Sequence, residues 1–120
     1  MSEAPIFESK RTFFLESYVA GHGLLLFRSH STKEQPTVVD VLFTDVRAMD
    51  VRAWTDELRV ENANTTFVDG YLSKPAEMIE KGLFVYRVNG RGWLGYVIAC
   101  RVASKEGTVA PKSPAGLLGI

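Results

Sequence analysis

Three polar residues in the first third of the chain have the types and spacing to form one chemical site. Arg28 and His30 alternate along one apolar segment, and Asp40 lies in the next segment, after a polar loop at 32–36. If the two segments pair as antiparallel strands across this loop, Arg28 lies opposite Asp40 and His30 shares their face. A guanidinium oriented by a carboxylate could bind an anion, and a histidine beside it could exchange protons near neutral pH.

The same residues also fit a purely structural role. An Arg–Asp pair on a solvated sheet face is a common cross-strand contact, contributing roughly 0.2–1 kcal/mol. The site hypothesis requires all three side chains to converge on a concave pocket. If the first hairpin turns at residues 21 and 22, Phe13 and Leu15 lie on this face as well.

The strongest hairpin signal lies near the C-terminus, where Asn89-Gly90 separates two β-forming segments, 83–88 and 91–103. Asn-Gly favours a two-residue type I′ turn, because both central residues need a positive φ. On this register one hairpin face carries a candidate interface, formed by Phe84, Tyr86, Arg91 and Trp93. An aromatic face edged by arginine suits a partner protein or the ring of a ligand. The alternative is that this face is half of the hydrophobic core.

Other residues lack the patterns that catalysis or metal binding needs. The glycines at 90, 92 and 95 have the spacing of a phosphate-binding loop, but a strand rather than a helix follows them. His22 and His30 do not have the close spacing of paired metal ligands, and Cys100 fits a buried packing residue. We therefore expect no metal and no cofactor, and the residues favour a binding protein over an enzyme.

Short β-forming segments with turn signals between them account for most of the chain. Segments 11–19, 24–31 and 37–46 suit a three-stranded meander, and 58–61 and 66–72 suggest further strands. One short helix is predicted at about 74–81, with Ser73 as its N-cap and Gly82 as its stop. The expected fold is mainly β, an antiparallel β-sandwich or a partly open β-barrel with this one helix.

Length and charge define the domain and exclude some partners. The 120 residues are 46% hydrophobic with no net charge, which is typical of one globular domain and excludes a histone-like chain. We expect this domain to span residues 1–103, with a C-terminal tail at 104–120 docked on its own domain or on a second subunit. Residues 34–69 contain eight acidic and three basic side chains, whereas residues 82–120 contain five basic and one acidic. These two regions are expected to attract each other within one sheet or across a dimer.

The leading functional hypothesis is a non-enzymatic binding or protein-interaction module in the cytoplasm, paired with itself or with another protein. The alternative is a binding or enzymatic site for an anionic small molecule, in a β-barrel cavity that uses Arg28, His30 and Asp40. Nucleic acid is disfavoured because the surplus basic charges are spread out, and no segment is apolar enough for a membrane span. The apolar spacing Phe43-x-x-Val46 resembles small bacterial β-proteins, a resemblance that implies no site residues.

Overall fold

Eight strands form one antiparallel sheet in the computed structural model, which describes residues 4–63 and 82–108. The strands are β1 (Phe7–Val19), β2 (Leu24–Ser29), β3 (Val38–Thr44), β4 (Ala48–Asp50), β5 (Trp54–Asn62), β6 (Phe84–Gly90), β7 (Trp93–Ala99) and β8 (Arg101–Gly107). Their order across the sheet is β4-β7-β6-β5-β1-β2-β3-β8. The mainly β, antiparallel fold is thus confirmed. The helix predicted at 74–81 and the strand suggested at 66–72 lie outside the described residues.

The sheet bends around its own core. Side chains from β1, β2, β3, β5, β6 and β7 pack into one buried cluster, whose largest members include Phe13, Phe27 and Phe43. A flat sheet could not bring its distant strands into one cluster, so the curvature gives a sandwich-like, partly open architecture that is not closed into a barrel. Where its two halves approach, Cys100 N–H donates to the Thr44 carbonyl at 3.0 Å.

The predicted meander is present, and its second hairpin has the predicted register. Arg28 pairs with Asp40 across β2 and β3. The first hairpin differs, because β1 contains a β-bulge at Glu16, between Leu15 and Ser17. One extra residue moves every side chain beyond it to the other face of the sheet. Phe13 and Leu15 therefore pack on the core side rather than beside Arg28.

The C-terminal hairpin turns two residues later than predicted. Gly90 pairs with Trp93, so the turn consists of Arg91 and Gly92, and Asn89-Gly90 belongs to β6. Gly92 has a φ of 83°, a conformation that glycine adopts without the strain a side chain would add. The slip changes the pairing by an even number of residues, so Tyr86 and Trp93 still share a face.

The chain beyond this hairpin continues into the sheet. β8 extends to Gly107, so residues 104–107 belong to a strand paired with β3, whereas residues 109–120 lie outside the described part. The expected attraction between acidic and basic regions is found within one sheet, where Glu61 pairs with Arg87 and Glu57 with Arg91. Within residues 4–63 and 82–108, no helix is long and apolar enough to cross a membrane.

Candidate binding surface

The Arg28–Asp40 pair is buried and bidentate. Arg28 Nε and Nη2 donate to the two carboxylate oxygens of Asp40 at 2.6 and 3.2 Å. Arg28 is 8% exposed and Asp40 2% exposed. The hydrogen bonds that Arg28 donates to Asp40, opposed by burial, raise the pKa of Arg28 above its ordinary value. The two groups thus satisfy each other, as a buried ion pair must.

His30 joins this cluster through Glu16 rather than through Asp40. His30 Nε2 lies 3.1 Å from Glu16 Oε2, and the other Glu16 oxygen lies 4.0 Å from Arg28 Nη1. The bulge at Glu16 re-aims its carboxylate toward both residues. The predicted trio is therefore a quartet on one face, with a buried pair at one side and an exposed His30 at the other.

The four hairpin residues of the candidate interface do not form one surface. Tyr86 is buried in the core, where its ring lies 5.8 Å from that of Phe43. Phe84 is exposed at the far end of β6, whereas Arg91 is exposed in the turn. Burial also raises the pKa of Tyr86 above its ordinary value. The core alternative is therefore the observed role of Tyr86. The Phe84 ring lies 6.2 Å from that of Tyr86 at one end of the hairpin, and Arg91 and Trp93 lie together at the other end.

Arg91 and Trp93 line a cavity where β5 begins and the β6–β7 hairpin turns. We call it the corner cavity, and its volume is about 320 Å³. It is lined by Arg52, Trp54, Thr55, Asp56, Arg91 and Trp93, with Gly92 at the turn. Both tryptophans of the chain therefore line the same cavity.

A strained segment of β5 forms the wall of this cavity. Trp93 Nε1–H donates to Thr55 Oγ1 at 2.7 Å, and the Thr55 hydroxyl contacts the Glu57 carbonyl at 2.9 Å. Gly90 has no room for a side chain, because a Cβ there would lie 2.0 Å from Thr55 Oγ1. Glu57 has a left-handed φ of 68°, which costs a non-glycine residue roughly 1–2 kcal/mol. Such strain is concentrated at functional sites in known proteins.

Exposed rings continue outward from the corner cavity. Trp54 is 59% exposed and pairs across the strands with Phe14, which is 44% exposed. The Phe14 ring lies 6.0 Å from the His30 ring. By strand register, Phe14 is also opposite Arg28, so the rings and the buried ion pair belong to one row across the sheet.

A second, larger cavity of about 430 Å³ lies at the mouth of the curved sheet, beside Phe7 and Arg11. Arg11 is almost fully committed to the protein, because its side chain donates to Ser29 Oγ, Thr37 Oγ1, and the carbonyls of His30 and Thr37. These bonds hold the β2–β3 loop against β1. The arginine therefore has a structural role at this cavity.

The remaining candidates carry no site. Cys100 is exposed rather than buried, because the predicted continuous strand is interrupted there between β7 and β8. His22 is exposed in the first hairpin turn. In the described ranges, no group of three or more His, Cys, Asp or Glu side chains could hold a metal ion.

Sequence reasoning missed the principal members of the corner cavity. Trp54 and Arg52 precede the segment 58–61 that was predicted as a strand, and β5 begins four residues earlier, at Trp54. No period-two alternation marks the start of this strand, because its buried residues Thr55 and Leu58 are three positions apart rather than two. Comparison with protein-family models, with curated proteins and with solved structures finds no match for this chain.

Proposed function

We propose that this protein is a non-enzymatic binding module and that the corner cavity receives the flat ring of a small ligand. One observation supports this most strongly: both tryptophans of the chain converge on a cavity that also contains two arginines. Indole rings offer large, rigid faces for stacking, and guanidinium groups can lie against the same rings. The lining thus provides aromatic faces for stacking and cationic groups for contact with the same ligand.

The other two candidate places offer less to a ligand. At the larger cavity beside Phe7, the half-buried Arg11 donates its hydrogen bonds to protein oxygens. In the polar quartet, Arg28 and Asp40 are buried against each other, so their charges are directed inward. Trp54, in contrast, presents more than half of its surface to solvent. An aromatic side chain so exposed is available for contact with another molecule.

The expected affinity is modest. Stacking of a ring on an aromatic side chain contributes roughly 1–3 kcal/mol. Two such contacts, from Trp54 and Trp93, sum to roughly 2–6 kcal/mol, and the middle of this range corresponds to a dissociation constant of about 1 mM for a bare ring. The cavity volume of about 320 Å³ suits one ring with a small substituent.

Tryptophan fluorescence tests this proposal directly, because both reporters line the site. The protein is titrated with neutral ring compounds, namely benzamide, uridine and adenosine, up to about 10 mM, ten times the mid-range dissociation constant. We expect saturable quenching by at least one of them, and its loss in Trp54→Ser when Trp93 is the remaining reporter. Phe84→Ser removes an equally exposed aromatic ring at the far end of the hairpin and serves as the matched control.

The absence of saturable quenching with all three neutral rings, and with benzoate and the 5′-monophosphates of uridine and adenosine, would refute the site. Quenching that survives in Trp54→Ser but disappears in Phe84→Ser would move the binding site elsewhere. The proposal includes a cytoplasmic location, supported by the single Cys100, which suits a reducing compartment. Self-association stays a prediction, and sedimentation velocity over a range of protein concentrations tests it.

A further inference from the structure

We propose that the ring ligand of the corner cavity carries an anionic group, a phosphate or a carboxylate, and that Glu57 holds Arg91 in place until this group binds. This inference rests on the proposed function, because it names the chemistry of the same ligand. Three features of the cavity support it. Arg52 has no counter-ion among the described residues, Arg91 has a counter-ion that a ligand can displace, and that counter-ion is the carboxylate of the strained residue Glu57.

Arg52 is the guanidinium without a counter-ion. It is exposed on the rim beside Trp54, and no ion pair or hydrogen bond to its side chain occurs within residues 4–63 and 82–108. The arginines at 28, 59, 87 and 91, by contrast, each have a carboxylate within 4 Å. An unpaired guanidinium next to an exposed indole suits a ligand that joins a negative group to a flat ring.

The carboxylates near the cavity do not cancel this attraction. Asp56 is the one carboxylate on the lining, and its Oδ1 accepts a hydrogen bond from Thr12 Oγ1 at 2.7 Å. Two guanidinium groups therefore face one carboxylate, leaving the lining with a surplus positive charge. An anionic group placed beside Arg52 and Arg91 would be attracted by both.

Glu57 lies behind the cavity and holds Arg91 from outside. Arg91 Nη2 lies 3.2 Å from Glu57 Oε1, and Lys10 Nζ lies 3.5 Å from the same oxygen. The hydrogen bond from Arg91 holds the pKa of Glu57 below its ordinary value, so Glu57 is ionised at neutral pH. The pair is exposed, and exposed ion pairs are weak enough for a ligand to exchange.

The backbone fixes the position of the hairpin turn independently of the Arg91–Glu57 ion pair. Glu57 has its left-handed φ of 68° next to Asp56, whose carbonyl accepts the backbone N–H of Arg91 at 2.9 Å. The hairpin turn is therefore anchored by its backbone, while Glu57 is the hydrogen-bonded partner of the Arg91 side chain among residues 4–63 and 82–108. Releasing the side chain toward the cavity requires a rotamer change and no movement of the sheet. The ligand anion would take the place of the Glu57 carboxylate.

Matched pairs of ring compounds test this inference. Benzamide is compared with benzoate, and uridine and adenosine with their 5′-monophosphates, by tryptophan fluorescence at low salt. We expect the anionic member to bind about tenfold more tightly, the factor expected from one charged hydrogen bond. Arg52→Gln should reduce this difference, because it lowers the affinity for the anionic member more than for the neutral one, and Arg91 retains the remainder. Benzoate and monophosphates together distinguish a carboxylate from a phosphate preference.

Glu57→Gln removes the competing carboxylate and keeps the side-chain shape. We expect it to tighten binding of the anionic compounds about two- to fivefold, as loss of an exposed ion pair predicts. Glu8→Gln is the matched control, since Glu8 also pairs with an arginine, Arg59, but lies off the cavity lining.

The outcomes separate this inference from the function it rests on. Equal binding of neutral and anionic members refutes the anionic group and leaves the ring site standing. Tighter anion binding that Glu57→Gln leaves unchanged refutes the role of Glu57. Failure of every compound to bind refutes the ring site itself, and with it the inference.

Discussion

The buried Arg28–Asp40 pair makes the sharpest prediction about stability. We consider three variants: Asp40→Leu, Arg28→Met and the double variant. Each single change leaves one buried charge without its main partner. The double change removes both charges and places two apolar side chains beside Leu26 and Leu42, which are themselves 1% and 2% exposed on the same face.

The magnitudes follow from burial and from the neighbours that remain. Breaking a buried ion pair by removing one partner costs about 3–5 kcal/mol. Asp40→Leu should lie near the lower end, about 3 kcal/mol, because Glu16 remains 4.0 Å from the guanidinium. Arg28→Met should cost about 4 kcal/mol, because Asp40 is the more deeply buried partner. The double variant should lie within about 1 kcal/mol of the unchanged protein, since apolar replacement of a whole pair is often neutral.

Urea unfolding at neutral pH measures these differences, with circular dichroism and tryptophan fluorescence as two probes. With a slope of about 1–3 kcal/mol per molar, a loss of 3 kcal/mol lowers the midpoint by roughly 1–3 M. His30→Ala is the control, because His30 is exposed and its contact with Glu16 is peripheral; its effect should be below about 1 kcal/mol.

Two results would refute this reasoning. If Asp40→Leu lowered stability by less than about 1 kcal/mol, the guanidinium would have found water or another partner, and the pair would not be buried as described. If the double variant were as unstable as either single variant, the pair would contribute net stability beyond charge balance. A restored double variant shows that the pair is costly to break and dispensable as a whole.

Three further predictions concern packing, pH and the loop. Gly90→Ala should lower the free energy of unfolding in urea by about 1–3 kcal/mol and shift tryptophan emission, because a Cβ there meets backbone and side-chain atoms. Gly21→Ala is the control, since Gly21 has open space around it, and it should change neither measurement. Because the pKa of Tyr86 is raised in the folded protein, its contribution to stability is complete below the ordinary pKa of 10.0 and is lost as the pH rises further. Tyr86→Phe should therefore flatten the decline in unfolding free energy above pH 10.0, whereas the exposed control Tyr18→Phe should not. Arg11→Met should accelerate amide exchange in the β2–β3 loop by releasing four hydrogen bonds, and unchanged exchange would contradict its anchoring role.

Local pattern was sufficient to predict the central part of the sheet. The pairing of Arg28 with Asp40 follows from loop length and alternation, both of which can be read along the chain. The bulge at Glu16 could not be read, because no residue type marks one extra residue in a strand. Since that bulge places Phe13 in the core and Glu16 beside His30, the prediction had the right pair, wrongly placed Phe13 on its face, and did not include Glu16.

Tertiary packing accounts for the other differences. Asn89-Gly90 is a strong turn signal, yet Gly90 is needed where Thr55 and Trp93 leave no space for a side chain, and Arg91-Gly92 takes the turn instead. Local turn preference is weaker than a steric conflict between two strands. The corner cavity could not be predicted for a related reason: Trp54 and Trp93 meet only through the pairing of β5 with β6 and of β6 with β7.

The position of β3 between β2 and β8 has a consequence for synthesis of the chain. β3 has the sequence VVDVLFT, and its second neighbour is the last described strand, β8. During translation, the edge of β3 that later pairs with β8 therefore stays unpaired while more than fifty further residues are synthesised. Such edges template aggregation, and a charge within the apolar run opposes it. Asp40 is that charge. It is buried in the folded sheet, where it needs Arg28 as its partner, and in the nascent chain it would oppose pairing of β3 with other chains.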